Sequence, residues 1–152
     1  MHAHPSAQAL VDFIRDEIPL ARAMDVRLYH CGEGVLSLAA PLAPNVNDKG
    51  CAFGGSLVSL MTLAGWGLVE LALRNRSLAC DVFVADSSVR YLAPVWQDFR
   101  AEARVAEEAS WPAFFAALDE RGRASLPVLV QVPGEDAPAA TLQARFAARR
   151  RG

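Results

Sequence analysis

The sequence predicts an α+β domain in which one antiparallel β-sheet wraps around a single long apolar helix. Three observations carry this. Residues 50–69 contain no charge, and Glu70 is the only acid before Arg74; a helix that is apolar nearly all round is buried on most sides. From Asp81 onward the apolar residues recur with period two, the pattern of half-buried strands. The element order is helix, hairpin, long helix, then a meander with one short helix inserted. One sheet around one helix is the simplest way to bury all those faces.

At 152 residues the chain is expected to form one domain over 1–152, with 1–5 and 149–152 frayed. A net charge of −2 with both signs interspersed excludes an electrostatic case for nucleic acid. Arg149, Arg150 and Arg151 read as a solvated terminus. The three cysteines, Cys31, Cys51 and Cys80, are odd in number and lack metal or redox spacing, which favours a reducing, cytoplasmic setting. His2 and His4 alone are a weak metal signal, and no metal site is predicted. The uncharged run is long enough to span a bilayer. Ser56, Ser59 and Thr62 on one stripe, the strands downstream and the lack of a signal-type segment upstream favour a buried core helix and no membrane partner.

The first helix opens at Pro5-Ser6, with Leu10, Phe13, Ile14 and Ile18 at helical spacing and Pro19 just past its end. Two strands, about 25–31 and 35–42, are joined by the turn Gly32-Glu33-Gly34. The polar loop 45–52 leads into the long helix, which fades near Asn75. Gly54, Gly55, Gly65 and Gly67 each cost that helix about 1 kcal/mol relative to Ala, which suggests that another backbone comes very close. In the next strand Phe83, Ala85, Val89 and Tyr91 share one face, while Val82 and Val84 are followed on the other by Asp86, Ser88 and Arg90. Phe99, Ala101, Ala103 and Val105 alternate with charged residues. Ser110 caps a short helix with Pro112 in its first turn, ending at Gly122. The last two strands turn Ala124, Leu126, Val128, Val130, Val132 and then Ala140, Leu142, Ala144, Phe146, Ala148 to one face. Pro127 suggests an edge or a bulge.

Phe53-Gly54-Gly55 opening the long helix, with Val89-Arg90-Tyr91-Leu92-Ala93-Pro94-Val95 downstream in this element order, resembles the hotdog fold of acyl-CoA thioesterases. The string from Asn45 to Gly50, with Phe53–Leu57 and Ala64–Gly67, is similar to a thioesterase family that also occurs as the C-terminal domain of some bacterial acetyltransferases, the YiiD C-terminal type. The resemblance runs from about Leu10 to Ala148. It implies an acyl-CoA or acyl-carrier-protein substrate, no cofactor, and a homodimer or dimer of dimers with sites where subunits meet. In the phenylacetyl-CoA-type thioesterases the helix opens with His-Gly-Gly, with an Asn seven residues before the first Gly. Asn47 and Gly54 hold those positions here, and Phe53 replaces the His. Thr62 stands where that relative carries its catalytic carboxylate, and Val84 where it carries a partner-subunit serine.

Thioester hydrolysis needs donors for a carbonyl oxygen that gains charge, and an activated water. The first amides of the long helix are free, its dipole favours negative charge there, and Gly54 and Gly55 allow close approach, although Gly-Gly at a helix start is often only a tight turn. Asn47 can orient a water, and Asp48 can act as a general base if it is poorly solvated; the competing reading for both is turn chemistry. Thr62, near the face shared by Ser56 and Ser59, can hydrogen-bond a water or the acyl group, or bond back to its own turn. Ser88 and Arg90 share a strand face on which the arginine can hold a coenzyme A phosphate, or simply be solvated. Cys51 reads as a buried apolar thiol. Three functions therefore stand: a thioesterase that activates water without a helix carboxylate, a hydratase or dehydratase of acyl thioesters, and a non-catalytic acyl-binding dimer. Phe53 in place of a histidine counts against the second; Thr62 in place of an acid favours the third.

Overall fold

The computed structural model describes residues 5–152. Two helices come first, α1 (Pro5–Glu17) and α2 (Pro19–Met24). α1 buries Ala7, Leu10, Val11 and Ile14. Phe13, expected among them, lies at the margin under the Arg74 guanidinium, 4.5 Å from the ring centre. α2 has no counterpart among the elements expected from the sequence. Pro19 is its first residue, where a missing N–H costs nothing, rather than a stop beyond a single helix. Strands β1 (Arg27–Gly32) and β2 (Val35–Ala40) follow, joined by Glu33 and Gly34 at φ 54° and 78°. That is the two-residue turn whose twist suits a hairpin.

A 3-10 turn at Ala43–Asn45 leads to α3 (Gly54–Asn75), then β3 (Cys80–Tyr91), β4 (Phe99–Val105), α4 (Trp111–Arg121), β5 (Arg123–Val132) and β6 (Ala140–Arg150). The Ser110 hydroxyl accepts from the Ala113 amide at 3.2 Å and caps α4 as expected. The six strands form one antiparallel sheet in the order β1-β2-β4-β5-β6-β3. Its concave face carries Leu36, Leu38, Ala101, Ala103, Val130, Leu142 and Phe146 onto α3. By length and composition α3 is apolar enough to cross a membrane, yet the sheet sheathes it and Trp66 Nε1 donates to the Val82 carbonyl at 2.9 Å. The predicted wrapped helix is the observed one.

Three expectations need correction. First, β3 does not alternate uniformly. A bulge between Val84 and Asp86 shifts the register, so Val82 and Val84 face the helix side, followed by Ser87, Val89 and Tyr91. Phe83 then stands on the outer face with Asp86, Ser88 and Arg90, rather than with Val89 and Tyr91. Second, Pro127 lies on an interior strand. The β4–β5 ladder ends at Val105–Val128, so its missing N–H leaves no gap, and its carbonyl accepts from Ala106 at 3.0 Å. Third, Arg149 and Arg150 are not frayed. They end β6, Arg150 donates to the Gly122 carbonyl at 2.8 Å, and Arg151 donates to that of Ala79 at 3.0 Å and reaches Asp81. At the other end Pro5 begins α1, and the fraying and histidine expectations for residues 1–4 lie outside the described residues.

Candidate active site

The loop before α3 is tied down at both ends. Buried Asn45 donates from Nδ2 to the carbonyls of Met24 (3.0 Å) and Pro41 (2.8 Å), and its own carbonyl accepts from Phe53 at 2.7 Å. Ala52 donates to the Val95 carbonyl at 2.8 Å, which draws the segment after β3 alongside the start of the helix. The Phe53 carbonyl accepts from Ser56 (2.9 Å) and Leu57 (3.0 Å). No side chain caps this end, and among the described residues no acceptor reaches the amides of Gly54 or Gly55. The uncapped end opens into a cavity of about 350 Å3 lined by Ala52, Gly54, Leu57, Tyr91 and residues 92–94. Free amides and the positive end of a 22-residue helix make a place for a developing oxyanion.

The two glycines differ in surroundings. A Cβ on Gly54 would stand 3.5 Å from Tyr91 Cε1, inside the cavity. A Cβ on Gly55 would collide with the ring of Phe53, which folds back over that residue. Gly55 therefore makes room for Phe53, whereas Gly54 faces the cavity and the Tyr91 ring.

Asn47 is consumed by its turn. Its Oδ1 accepts from the amides of Lys49 (2.8 Å) and Cys51 (3.2 Å), and its Nδ2 donates to Cys51 Sγ at 3.2 Å. Asp48 does not meet the condition set for a general base. It is exposed and paired with Lys49 at 3.0 Å, and that ammonium holds its carboxyl below the usual carboxylate range. A useful base has its pKa raised towards the working pH, not lowered.

Ser59 and Thr62 line a separate apolar groove of about 250 Å3 with Ile18, Leu20, Ala21, Val58 and Leu63. Ser56, half-buried in the first helical turn, lines neither space. Ser88 and Arg90 sit opposite Gln143 and Thr141 on the outer face of the sheet, away from Gly54. Asp86 on the same face pairs with Arg145 at 2.7 Å. Cys51 is buried; burial also pushes the Cys31 and Cys80 thiols up, so both resist ionisation. Among the described residues no group of three or more His, Cys, Asp or Glu is placed to hold a metal.

Tyr91 and the 92–94 segment were not singled out as site residues from the sequence, although they belong to the string that carried the resemblance. Their exposure on an edge strand gave no local signal; their place beside Gly54 depends on the bulge in β3.

A six-stranded antiparallel sheet wrapped on one long helix, with that helix opening uncapped into a cavity, is the hotdog arrangement of thioesterases. The chain is similar over 95% of its length to a protein of unknown function from Chlorobaculum tepidum, at 28% identity, 94% of that chain and a TM-score of 0.88. It is equally similar in sequence, 28%, to a protein named "putative thioesterase" from Shewanella oneidensis, covering 95% of this chain and 97% of that one with a TM-score of 0.84. A thioesterase from Haemophilus influenzae, 14% identical over 93% of this chain and 88% of its own, shares the fold with a TM-score of 0.70. The chain belongs to the family described as "Putative thioesterase (yiiD_Cterm)", which matches residues 7–150.

Proposed function

We propose that this protein hydrolyses acyl thioesters carried on coenzyme A or on an acyl carrier protein, and does so as a homodimer in the cytoplasm. The observation that carries the reading is the unpartnered amide of Gly54 at the mouth of a cavity, in a chain of a thioesterase family. Water adds to the thioester carbonyl carbon, and the carbonyl electron pair moves to oxygen, where the helix end stabilises the charge. Collapse restores the carbonyl, breaks the C–S bond and leaves the thiolate to take the proton that water gave up. The reaction needs no cofactor or metal. Among the described residues no carboxylate lines the cavity, so the rate rests on stabilising the oxyanion rather than on a helix-borne base.

The edge of the sheet supports the dimer. Among the described residues β3 has no neighbour on its outer side, and it exposes Phe83 and Val84. An unpaired edge with an exposed apolar pair at Phe83 and Val84 invites pairing with a second copy. Sedimentation of the parent as a monomer at micromolar concentration would sink this part. Three free thiols suit a reducing compartment.

The lack of an acid at the cavity supports one second reading, an acyl-thioester-binding module without turnover. A screen of acyl-CoA chain lengths for thiol release separates the two. The parent is expected to release thiol, and Gly54→Val to lose about 10²–10³ in kcat with an unchanged melting temperature. Saturable binding without thiol release across the series would favour the second reading.

A further inference from the structure

We infer that Tyr91 is a catalytic residue whose phenol O–H joins the Gly54 amide in holding the thioester carbonyl oxygen. This rests on reading the cavity at Gly54 as the thioester site.

The backbone of β3 supplies the first reason. Val82 and Val84 lie opposite Ala148 and Phe146, whose side chains are buried on the helix side of the sheet. Continued without interruption, that alternation would turn Arg90 towards the helix and Tyr91 outward. The bulge at Ala85 reverses the parity, and Ser87, Val89 and Tyr91 come opposite buried Ala144, Leu142 and Ala140. Bulges recur beside active sites, where they re-aim a side chain. Here the one re-aimed at the helix end carries a hydroxyl.

The second reason is placement. Tyr91 shares the cavity with Gly54, and its ring approaches by the edge that ends in the hydroxyl-bearing carbon. A Cβ on Gly54 would lie 3.5 Å from Cε1 and 3.8 Å from Cζ. Tyr91 is 56% exposed, and among the described residues its hydroxyl has no hydrogen-bond partner. That leaves it solvated and available to a ligand.

The third is what the helix end lacks. Phe53 covers Gly55 from the side a Cβ would occupy and Gly55 does not line the cavity, so of the two glycines with free amides it is Gly54 that lines it. A lone amide stabilises an oxyanion less than two converging donors, and Tyr91 is the side chain positioned to be the other. The phenol only donates a hydrogen bond. The carbonyl electron pair moves to oxygen as water adds, returns as the C–S bond breaks, and the departing thiolate takes the proton from water.

The bland alternative is an exposed aromatic ring that merely packs at a sheet edge, and Tyr91→Phe separates the two because it keeps the ring. In the full-length protein, Tyr91→Phe is expected to lower kcat for acyl-CoA hydrolysis by about 10²-fold or more, with KM within about threefold of the parent. Melting temperature should not move. Adding Tyr91→Phe to Gly54→Val should cost little further, because both act on one oxygen. A Tyr91→Phe protein with parental kcat, or one changed in KM alone, would overturn the assignment while leaving the hydrolase reading intact. A parent that releases no thiol from any acyl-CoA or acyl carrier protein would overturn both.

Discussion

The ring of Phe146 rests directly on the backbone of Gly65. A Cβ there would lie 2.7 Å from its Cε2, 2.8 Å from its Cζ and 3.4 Å from a Val130 methyl. Helix and sheet meet at a distance that only a residue without a side chain permits, in an interior that packs like a crystal. Gly65→Leu must force them apart, at a cost of about 1–3 kcal/mol or more. For a chain of this size each kcal/mol corresponds to about 2–4 °C, so a fall of several degrees is expected in a thermal melt. A variant that melts with the parent would mean that the sheet does not sheathe the helix there.

Asn47 and Asp48 should behave differently, despite being neighbours. Asn47→Ala removes the acceptor of two backbone amides and a donor to Cys51, and a loss of about 1–3 kcal/mol is expected from a denaturant titration. Asp48→Asn changes only a solvated charge beside Lys49, and kcat/KM should stay within about twofold. A large loss of rate in a stable Asp48→Asn protein would restore the general-base role.

Asp25 gives the fold an acid-sensitive joint. It occupies the left-handed region at φ 60°, where α2 meets β1. Arg27 and then Arg15, the latter at 2.7 Å, hold its carboxyl below the ordinary value of 3.8. A carboxylate with a depressed folded pKa stabilises the protein above its unfolded pKa, and the benefit is lost as pH falls through the folded value. Asn tolerates the same backbone, so Asp25→Asn removes the charge alone. The variant should melt below the parent by a constant margin from about pH 5 to 8, and the margin should close below about pH 4. A margin independent of pH down to the acid transition would show that the charge is not what matters.

Ser37 on β2 is 1% exposed and its hydroxyl has no partner among the described residues. It stands between His30 and Glu102 on the outer side of the sheet. An unpaired buried hydroxyl costs free energy, so Ser37→Ala should be neutral or stabilising by up to about 1 kcal/mol. Destabilisation of more than that, measured by denaturant, would mean that the hydroxyl is bonded in solution.

Much of the architecture was legible because the signals were local. An uncharged run from Gly50 to Val69 can only be satisfied by burial on nearly every side. The period-two runs through Leu126–Val132 and Ala140–Ala148 record which side of each strand meets the helix, and Ser110 announces its helix by the amide it caps. Asn47 was legible as a position but not as a role, since its turn and a catalytic water make the same demand for an amide side chain.

The sequence by itself determined the wrapped helix, the concave faces of β5 and β6, and the polar loop before two glycines. Each follows from what a short segment must bury or bend. The tertiary structure alone decided that β3 bulges at Ala85, that Ser88 and Arg90 turn outward, and that Thr62 opens into a groove apart from Gly54. It alone set the Tyr91 ring beside Gly54. An extra residue in an exposed edge strand leaves no mark in hydrophobic periodicity. Distances between elements are fixed only when the sheet closes on the helix and every buried side chain competes for the same space.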